Sequence, residues 1–313
     1  MIHTQTQKRY PDLHHEGILK RRAEAAAEIL KDCTLCPHAC HVDRTAGERG
    51  FCRTGERLIV SGFSPHYGEE EPLVGKRGSG TIFFTHCNLA CVYCQNYDIS
   101  QEGRGYEISP GELAGIMLKL QEMGCHNINL VSPTHQVTGI LGAIDIAAGH
   151  GLTIPIVYNT GGYDAVTTLK LLDGVIDIYM PDAKYGEGKI ANDLSGAPDY
   201  VEKMHEALKE MHRQVGNLVI RDGIAERGMI IRHLVLPDDL AGTREVVAFI
   251  AEEISPDAYL NIMPQYRPAF RVESMDQRYR SLQRRITPKE FDDALMTARS
   301  YGLWRGFDTT NEL

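Results

Sequence analysis

Thr81-Ile82-Phe83-Phe84-Thr85-His86-Cys87-Asn88-Leu89-Ala90-Cys91-Val92-Tyr93-Cys94-Gln95-Asn96 is the stretch from which the rest of the chain is read. Its apolar run, Thr81 to Phe84, reads as a short buried strand. Three cysteines follow at C-x3-C-x2-C spacing, on the loop that leaves the strand's C-terminal end. Thiolates are the usual ligands of iron–sulfur clusters, and a cubane of four irons ordinarily takes four of them. Three from one loop would leave one iron without a protein sulfur, a coordination position where chemistry can start. The alternatives are three buried free cysteines or three-quarters of a zinc site. Three thiols crowded beside a tyrosine favour the metal.

The chain has 313 residues, 42% hydrophobic and 24% charged, which leaves ample material for a core in one or two domains. A net charge of −9 disfavours general attraction to nucleic acid or to anionic lipid. No apolar run approaches the ~20 residues of a membrane span. The start, Met1-Ile2-His3-Thr4-Gln5-Thr6-Gln7-Lys8-Arg9-Tyr10, lacks the apolar core of a signal peptide. Eight cysteines without such a signal point to a reducing compartment, where clustered thiols bind metals rather than pair. A cytoplasmic protein with no membrane partner is expected.

Residues 17–32 mix alanine with charge and predict an exposed helix. It leads into a second cysteine group, Cys33, Cys36, Cys40 and Cys52, spaced C-x2-C-x3-C-x11-C. Neighbouring thiols in a turn can chelate one metal and a distant fourth can close the site. Thiolates alone leave zinc and a second iron–sulfur cluster both open. His38 and His41 could substitute as ligands or be solvated loop histidines. The division expected is residues 1–60 as an N-terminal helix and four-cysteine metal-binding segment, and 61–313 as the catalytic unit.

Further along, strands are predicted at 81–86, 127–132, 154–158, 175–180, 229–236 and 259–263. Between them come helices from Ser109-Pro110-Gly111-Glu112 (a capping box) to about Met123, then 138–148, from Gly161-Gly162 to Leu172, 200–215 and 243–254. A helix from Thr287 to Ser300 closes the series, and 217–220 is an accessory strand. Strands alternating with helices predict an α/β fold with a parallel βα array. Six units make a partial (β/α)6 TIM-type barrel carrying the N-terminal cysteine-rich segment. Catalytic groups in such barrels come from the C-terminal strand ends. Those ends read Cys87-Asn88; Ser132-Pro133-Thr134-His135; Asn159-Thr160-Gly161-Gly162; Asp182-Ala183-Lys184; Arg232-His233; and Gln265-Tyr266. Six polar ends in register suggest a ligand lying across the mouth. His135 reads equally as a structural, solvated or catalytic histidine.

C-x3-C-x2-C followed by Gln95-Asn96 directly after a first strand resembles the radical S-adenosylmethionine (SAM) superfamily. Within it, Cys91-Val92-Tyr93-Cys94-Gln95-Asn96 is similar to the pyruvate formate-lyase activating enzymes and their uncharacterised relatives, and later segments extend the likeness over most of residues 78–268. The resemblance implies that Cys87, Cys91 and Cys94 hold a 4Fe–4S cluster. It implies that an electron from an external donor such as flavodoxin or ferredoxin splits bound SAM into methionine and a 5′-deoxyadenosyl radical, which takes hydrogen from a substrate. Ser132 and Thr134 stand where the family cradles the methionyl amine. Asp182 and Lys184 resemble its Asp-x-Lys, with lysine on the SAM carboxylate and aspartate near the ribose. His233, in a segment similar to the activating enzymes' Arg-His-x-Val-x-Pro, would reach the same carboxylate. Asn159, at the polar end of the third strand, is taken with these as a cofactor-binding candidate. The sequence departs from the pattern in three places. His86 replaces the usual glycine before the first cysteine, the carboxylate of the Gly-Gly-Glu motif is absent, and Asn159 replaces an aspartate linked to monovalent-cation binding. The activating enzymes act on a glycine of a partner protein, which implies a protein or other macromolecular substrate here. Other readings are a non-catalytic iron–sulfur electron carrier or scaffold, and an RNA-modifying radical SAM enzyme, although the negative charge disfavours nucleic acid.

Overall fold

The computed structural model describes residues 8–307; residues 1–7, most of the stretch on which the signal-peptide reading rests, lie outside the described residues. Nine strands form one mixed sheet: β1 (Leu58–His66), β2 (Ser79–Phe84), β3 (Tyr106–Ile108), β4 (Ile128–Val131), β5 (Ile156–Thr160), β6 (Ile178–Pro181), β7 (Val219–Arg221), β8 (Ile224–Leu234) and β9 (Tyr259–Met263). Six of them, β2, β4, β5, β6, β8 and β9, pair successively in parallel, as the alternation of strand and helix predicted. The arc does not close, because β9 pairs with β8 and with no further strand among the described residues. The short strand β7 turns back antiparallel on β8.

The cysteine loop's own strand, β2, is buried on both faces, as a strand inside a parallel sheet must be. Its outer neighbour was not foreseen. Strand β1 pairs antiparallel with β2, and β3 pairs antiparallel with β1. Gly62 and Pro65 break the pattern of β1. The register slips between Val60 and Gly62, a bulge that a sheet edge tolerates.

The capping boxes formed as predicted. Ser109 Oγ accepts the Glu112 N–H at 3.2 Å while Glu112 accepts the Ser109 N–H at 2.7 Å, and Thr287 and Glu290 do the same. Elsewhere the boundaries moved. The helix after Gly162 is confined to Val166–Leu171, and a helix at Gly188–Ser195 was not anticipated. The predicted helix 243–254 is α-helical only to Phe249 and ends in a π turn. The N-terminal helix, Ile18–Ile29, is exposed on one face only: Lys20, Arg21, Glu24 and Glu28 face out, while Leu19 and Ala26 are fully buried in the main core beside the helix Val137–Gly149. No described helix is long and apolar enough to cross a membrane.

The sheet separates two apolar cores. The larger lies between strands and helices, and the smaller holds Leu73, Val157, Ile178, Met180, Ile230 and Tyr259. Side chains on a strand alternate faces with period two. Asn159, Asp182, Arg232 and Asn261 each follow one of those inner residues by two positions. They therefore stand on the same inner face, one step nearer the C-terminal strand ends, and form a polar layer above the small core.

Candidate active site

After Phe84 the chain turns sharply. His86 adopts a φ of +68°, a left-handed conformation that glycine enters without penalty and other residues rarely do. The loop beyond it is pinned by the helix Gly188–Ser195: the Ala90 N–H donates to the Ser195 carbonyl and the Val92 N–H to that of Leu194, both at 2.9 Å. Each cysteine sulfur has its own polar neighbour. Cys87 Sγ accepts the Leu89 N–H at 3.4 Å. Cys91 Sγ accepts the Ser195 hydroxyl at 3.0 Å, and a hydroxyl chain runs on from Ser195 to Tyr185 and Tyr93 with 2.6 Å links. Cys94 Sγ lies 3.1 Å from Ser100 Oγ.

Burial pushes the Cys87 thiol up to about 12. It raises Cys91 as well, against the pull of the Lys184 ammonium beside it. A buried thiol of this kind becomes a thiolate when a metal replaces its proton. Among the described residues no three His, Cys, Asp or Glu side chains are drawn together around a single ion. The fit to a cluster therefore rests on donor chemistry: three soft thiols on one loop, all reduced, with N–H and O–H groups aimed at sulfur, the kind of contact that tunes iron–sulfur centres.

The polar layer meets this loop. Lys184 Nζ lies 2.5 Å from Asp182, whose other oxygen accepts from Arg232 Nε at 2.8 Å. Arg232 also donates to Asn159 Oδ1 at 2.7 Å and approaches Glu70 at 3.8 Å, and Asn261 donates to Glu70 at 3.0 Å. Burial would raise the Asp182 carboxyl, but Arg232 and Lys184 hold it below the usual range. Burial would lower the Lys184 ammonium, but Asp182 and then Cys91 raise it. Arg232 is raised in the same way, against burial, by Asp182, Glu70 and Glu69.

Of the sequence-expected SAM contacts, the structure brings together Asn159, Asp182 and Lys184. Ser132, at φ +58°, joins them through its N–H to the Asn159 carbonyl at 2.8 Å. Thr134 is turned inward instead. With Thr160 and Tyr158 it donates to Asp164, a buried carboxylate, at 2.8, 2.6 and 3.0 Å. His233 is fully buried with both ring nitrogens engaged, Nδ1 on the Ala183 carbonyl at 2.7 Å and Nε2 on Thr243 Oγ1 at 3.0 Å. Contact with a ligand would require one of these bonds to open; the cations in the layer are Lys184 and Arg232. Arg232 was read as one of the polar strand ends, without a role of its own; Glu70, Asp164 and Asn261 were not read as site residues. The period-two step from the inner apolar residues could have found Asn261. Glu70 and Asp164 lie on loops, where no periodicity points.

The N-terminal cysteine segment meets the same loop through His38. Cys33, Cys36, Cys40 and Cys52 line one small cavity with Leu35, Val42, Arg44 and His135. Cys33, Cys36 and Cys52 are buried and Cys40 is partly exposed. His38 stacks on Phe51 at 3.8 Å and bonds the Asn88 carbonyl at 2.9 Å; His41 pairs with Asp32 at 2.8 Å. Neither is among the residues lining the cavity. Arg53 donates to the Gln101 carbonyl at 2.6 Å and to that of Ser100, the partner of Cys94, at 3.3 Å. The eighth cysteine, Cys125, is buried in the main core.

The sequence profile of the radical SAM superfamily matches residues 81–226, the stretch from β2 to the start of β8 that contains the three-cysteine loop. An uncharacterized protein of Methanocaldococcus jannaschii is 35% identical over 297 residues, covering 92% of this chain and 80% of its own length. A second uncharacterized protein of that organism is 23% identical over 260 residues, covering 77% and 72%. Among solved structures, a radical SAM methyltransferase from Sphaerobacter thermophilus superposes with a TM-score of 0.49 at 13% identity, and the match covers 71% of this chain and 64% of that one. HydG, a maturase of the FeFe-hydrogenase, gives 0.47 at 16% identity, covering 69% and 47%. The profile match and the long alignment to the 35% identical relative establish that the chain belongs to the radical SAM superfamily.

Proposed function

We propose that this protein reductively cleaves SAM at a 4Fe–4S cluster held by Cys87, Cys91 and Cys94 and takes a hydrogen atom from a protein substrate. When bound, the cluster supplies one electron to the SAM sulfonium, giving methionine and a 5′-deoxyadenosyl radical. The observation that carries the reading is the charged layer of Asp182, Lys184 and Arg232 beside the three hydrogen-bonded sulfurs. Lys184 is positioned to pair with the SAM carboxylate, a charge-assisted contact, while Arg232 steadies Asp182. Asn159 and Ser132 supply neutral polar groups beside them.

The N-terminal cysteines are read as a second metal centre, zinc or iron–sulfur, that braces the loop through His38 and Arg53. An external donor such as flavodoxin or ferredoxin supplies the electron. The open side of the arc, between β9 and the antiparallel strands β1 and β3, suits an extended peptide segment. Formation of a glycyl radical in a partner enzyme is the finer form of this reading. The test is to incubate reduced enzyme and SAM with host extract whose protein is uniformly deuterated. Deuterium in 5′-deoxyadenosine is expected from the protein fraction; transfer from low-molecular-mass material alone would overturn the protein substrate.

A further inference from the structure

We propose that His135 is a ligand of the N-terminal metal centre, its Nδ1 adding a nitrogen from the barrel to the sulfurs of the N-terminal segment. The proposal rests on reading Cys33, Cys36, Cys40 and Cys52 as a metal site. His135 lies in the turn after β4, far in sequence from those cysteines, yet its ring helps to line their cavity. The residue is 1% exposed. Its Nε2 lies 2.9 Å from the Thr85 carbonyl. A carbonyl only accepts, so Nε2 carries the hydrogen and Nδ1 keeps a bare lone pair.

The neighbouring amide does not change this assignment. Gln136 Nε2 is 3.2 Å from His135 Nε2, but both of its hydrogens go to the Ile59 and Thr85 carbonyls, at 3.1 and 3.0 Å. Its oxygen accepts the Ile59 N–H at 2.7 Å, which fixes the amide's orientation. His135 Nδ1 is then a buried acceptor with no partner. Native interiors rarely leave such a group unmet without a functional reason.

A histidine that donates one ring N–H to a backbone carbonyl and presents the other nitrogen bare has the arrangement typical of metal-ligating imidazoles. Arg44 reinforces the neutral form. Its guanidinium donates to the His135 carbonyl at 2.9 Å, lies 3.8 Å from Cys33 Sγ and is tied to the Gly55 carbonyl at 2.6 Å. A cation so placed opposes protonation of the ring. A four-coordinate centre that uses His135 leaves one cysteine outside. Cys40, the partly exposed one among three buried cysteines, is that cysteine. The bound species is a thiophilic metal, either a zinc ion or the iron of a cluster.

The test uses the full chain with Cys87, Cys91 and Cys94 changed to alanine, so that one centre remains. The protein is loaded anaerobically with zinc, or with iron and sulfide, and X-ray absorption is recorded at the matching edge. Metal and sulfide analysis tells the two sources apart. With zinc, a nitrogen scatterer at about 2.0–2.1 Å beside sulfur at about 2.3 Å is expected. With iron, a nitrogen hyperfine coupling in pulsed paramagnetic resonance of the reduced centre is expected. His135→Ala should lose the nitrogen signal and weaken metal retention about tenfold or more. His135→Cys should retain the metal with an all-sulfur shell, which guards against misreading a folding defect. An all-sulfur shell in the protein that still carries His135 overturns this proposal and leaves the cysteine site intact. Failure to bind either metal removes both.

Discussion

The two cysteine groups share a ligand type, and their segments meet through His38 and Arg53, yet their surroundings are opposite. The loop of Cys87, Cys91 and Cys94 opens onto the charged layer of Asp182, Lys184 and Arg232, and its sulfurs meet hydroxyl and amide hydrogens. The group of Cys33, Cys36, Cys40 and Cys52 faces a small cavity walled by Leu35, Val42 and His135, with Arg44 as its charged residue. An open position beside fixed charges suits a centre that must bind and cleave a charged molecule. A small cavity lined by cysteine sulfurs and His135 suits a metal that holds the chain in shape. The difference teaches that spacing alone identifies both groups as metal-binding candidates, while their neighbours divide the roles.

The largest effect that would break the contrast is expected from Cys94→Ala. It should abolish 5′-deoxyadenosine production while leaving the metal at the N-terminal cysteines in place, by metal analysis. Activity at the level of the unmodified protein would end the assignment of the loop.

Next comes the charged layer. Arg232→Ala leaves Asp182 and Glu70 without their shared guanidinium in a mostly buried setting. Breaking a buried pair from one side costs about 3–5 kcal/mol, read in a denaturant titration, and SAM affinity should fall with it. A stability change within about 0.5 kcal/mol would mean that the layer is solvated rather than built.

Cys36→Ser should release one metal centre and lower the melting temperature by several degrees, because metal binding here is coupled to folding of a segment with a small core of its own. SAM cleavage should be reduced but not abolished, in contrast to Cys94→Ala. Unchanged metal content and melting temperature together would show that the group binds nothing.

The smallest effect is expected from Ser195→Ala, which removes one hydrogen bond to Cys91 and the end of the Tyr93–Tyr185 chain. About 1 kcal/mol of stability should be lost. The loop centre's reduction potential should move to a more negative value, because a hydrogen bond to sulfur favours the more negative reduced cluster. The N-terminal centre should keep its properties, and a shift there would show that the two are not separable.

Much was determined by local order in the sequence. The Thr81–Phe84 run, the two proline-containing capping boxes and the strand–helix alternation predicted the six parallel strands and most of the helices between them, because periodicity and turn chemistry act over a few residues. Cysteine spacing marked both candidate metal groups for the same reason: a chelating loop is a local object. Tertiary structure alone decided which polar residues meet. Asp182, Arg232, Asn159 and Glu70 come from four separate segments; the barrel's inward alternation brings the first three together, and Glu70 reaches them from a loop. Only the fold showed that Thr134 turns to Asp164 and that His233 is occupied on both nitrogens. Only the fold carried His135 from the end of β4 into the cavity of cysteines that precede it by some eighty residues or more. A side chain's neighbours across the chain depend on how helices and strands stack, and that information is spread over the whole core rather than written beside the residue itself.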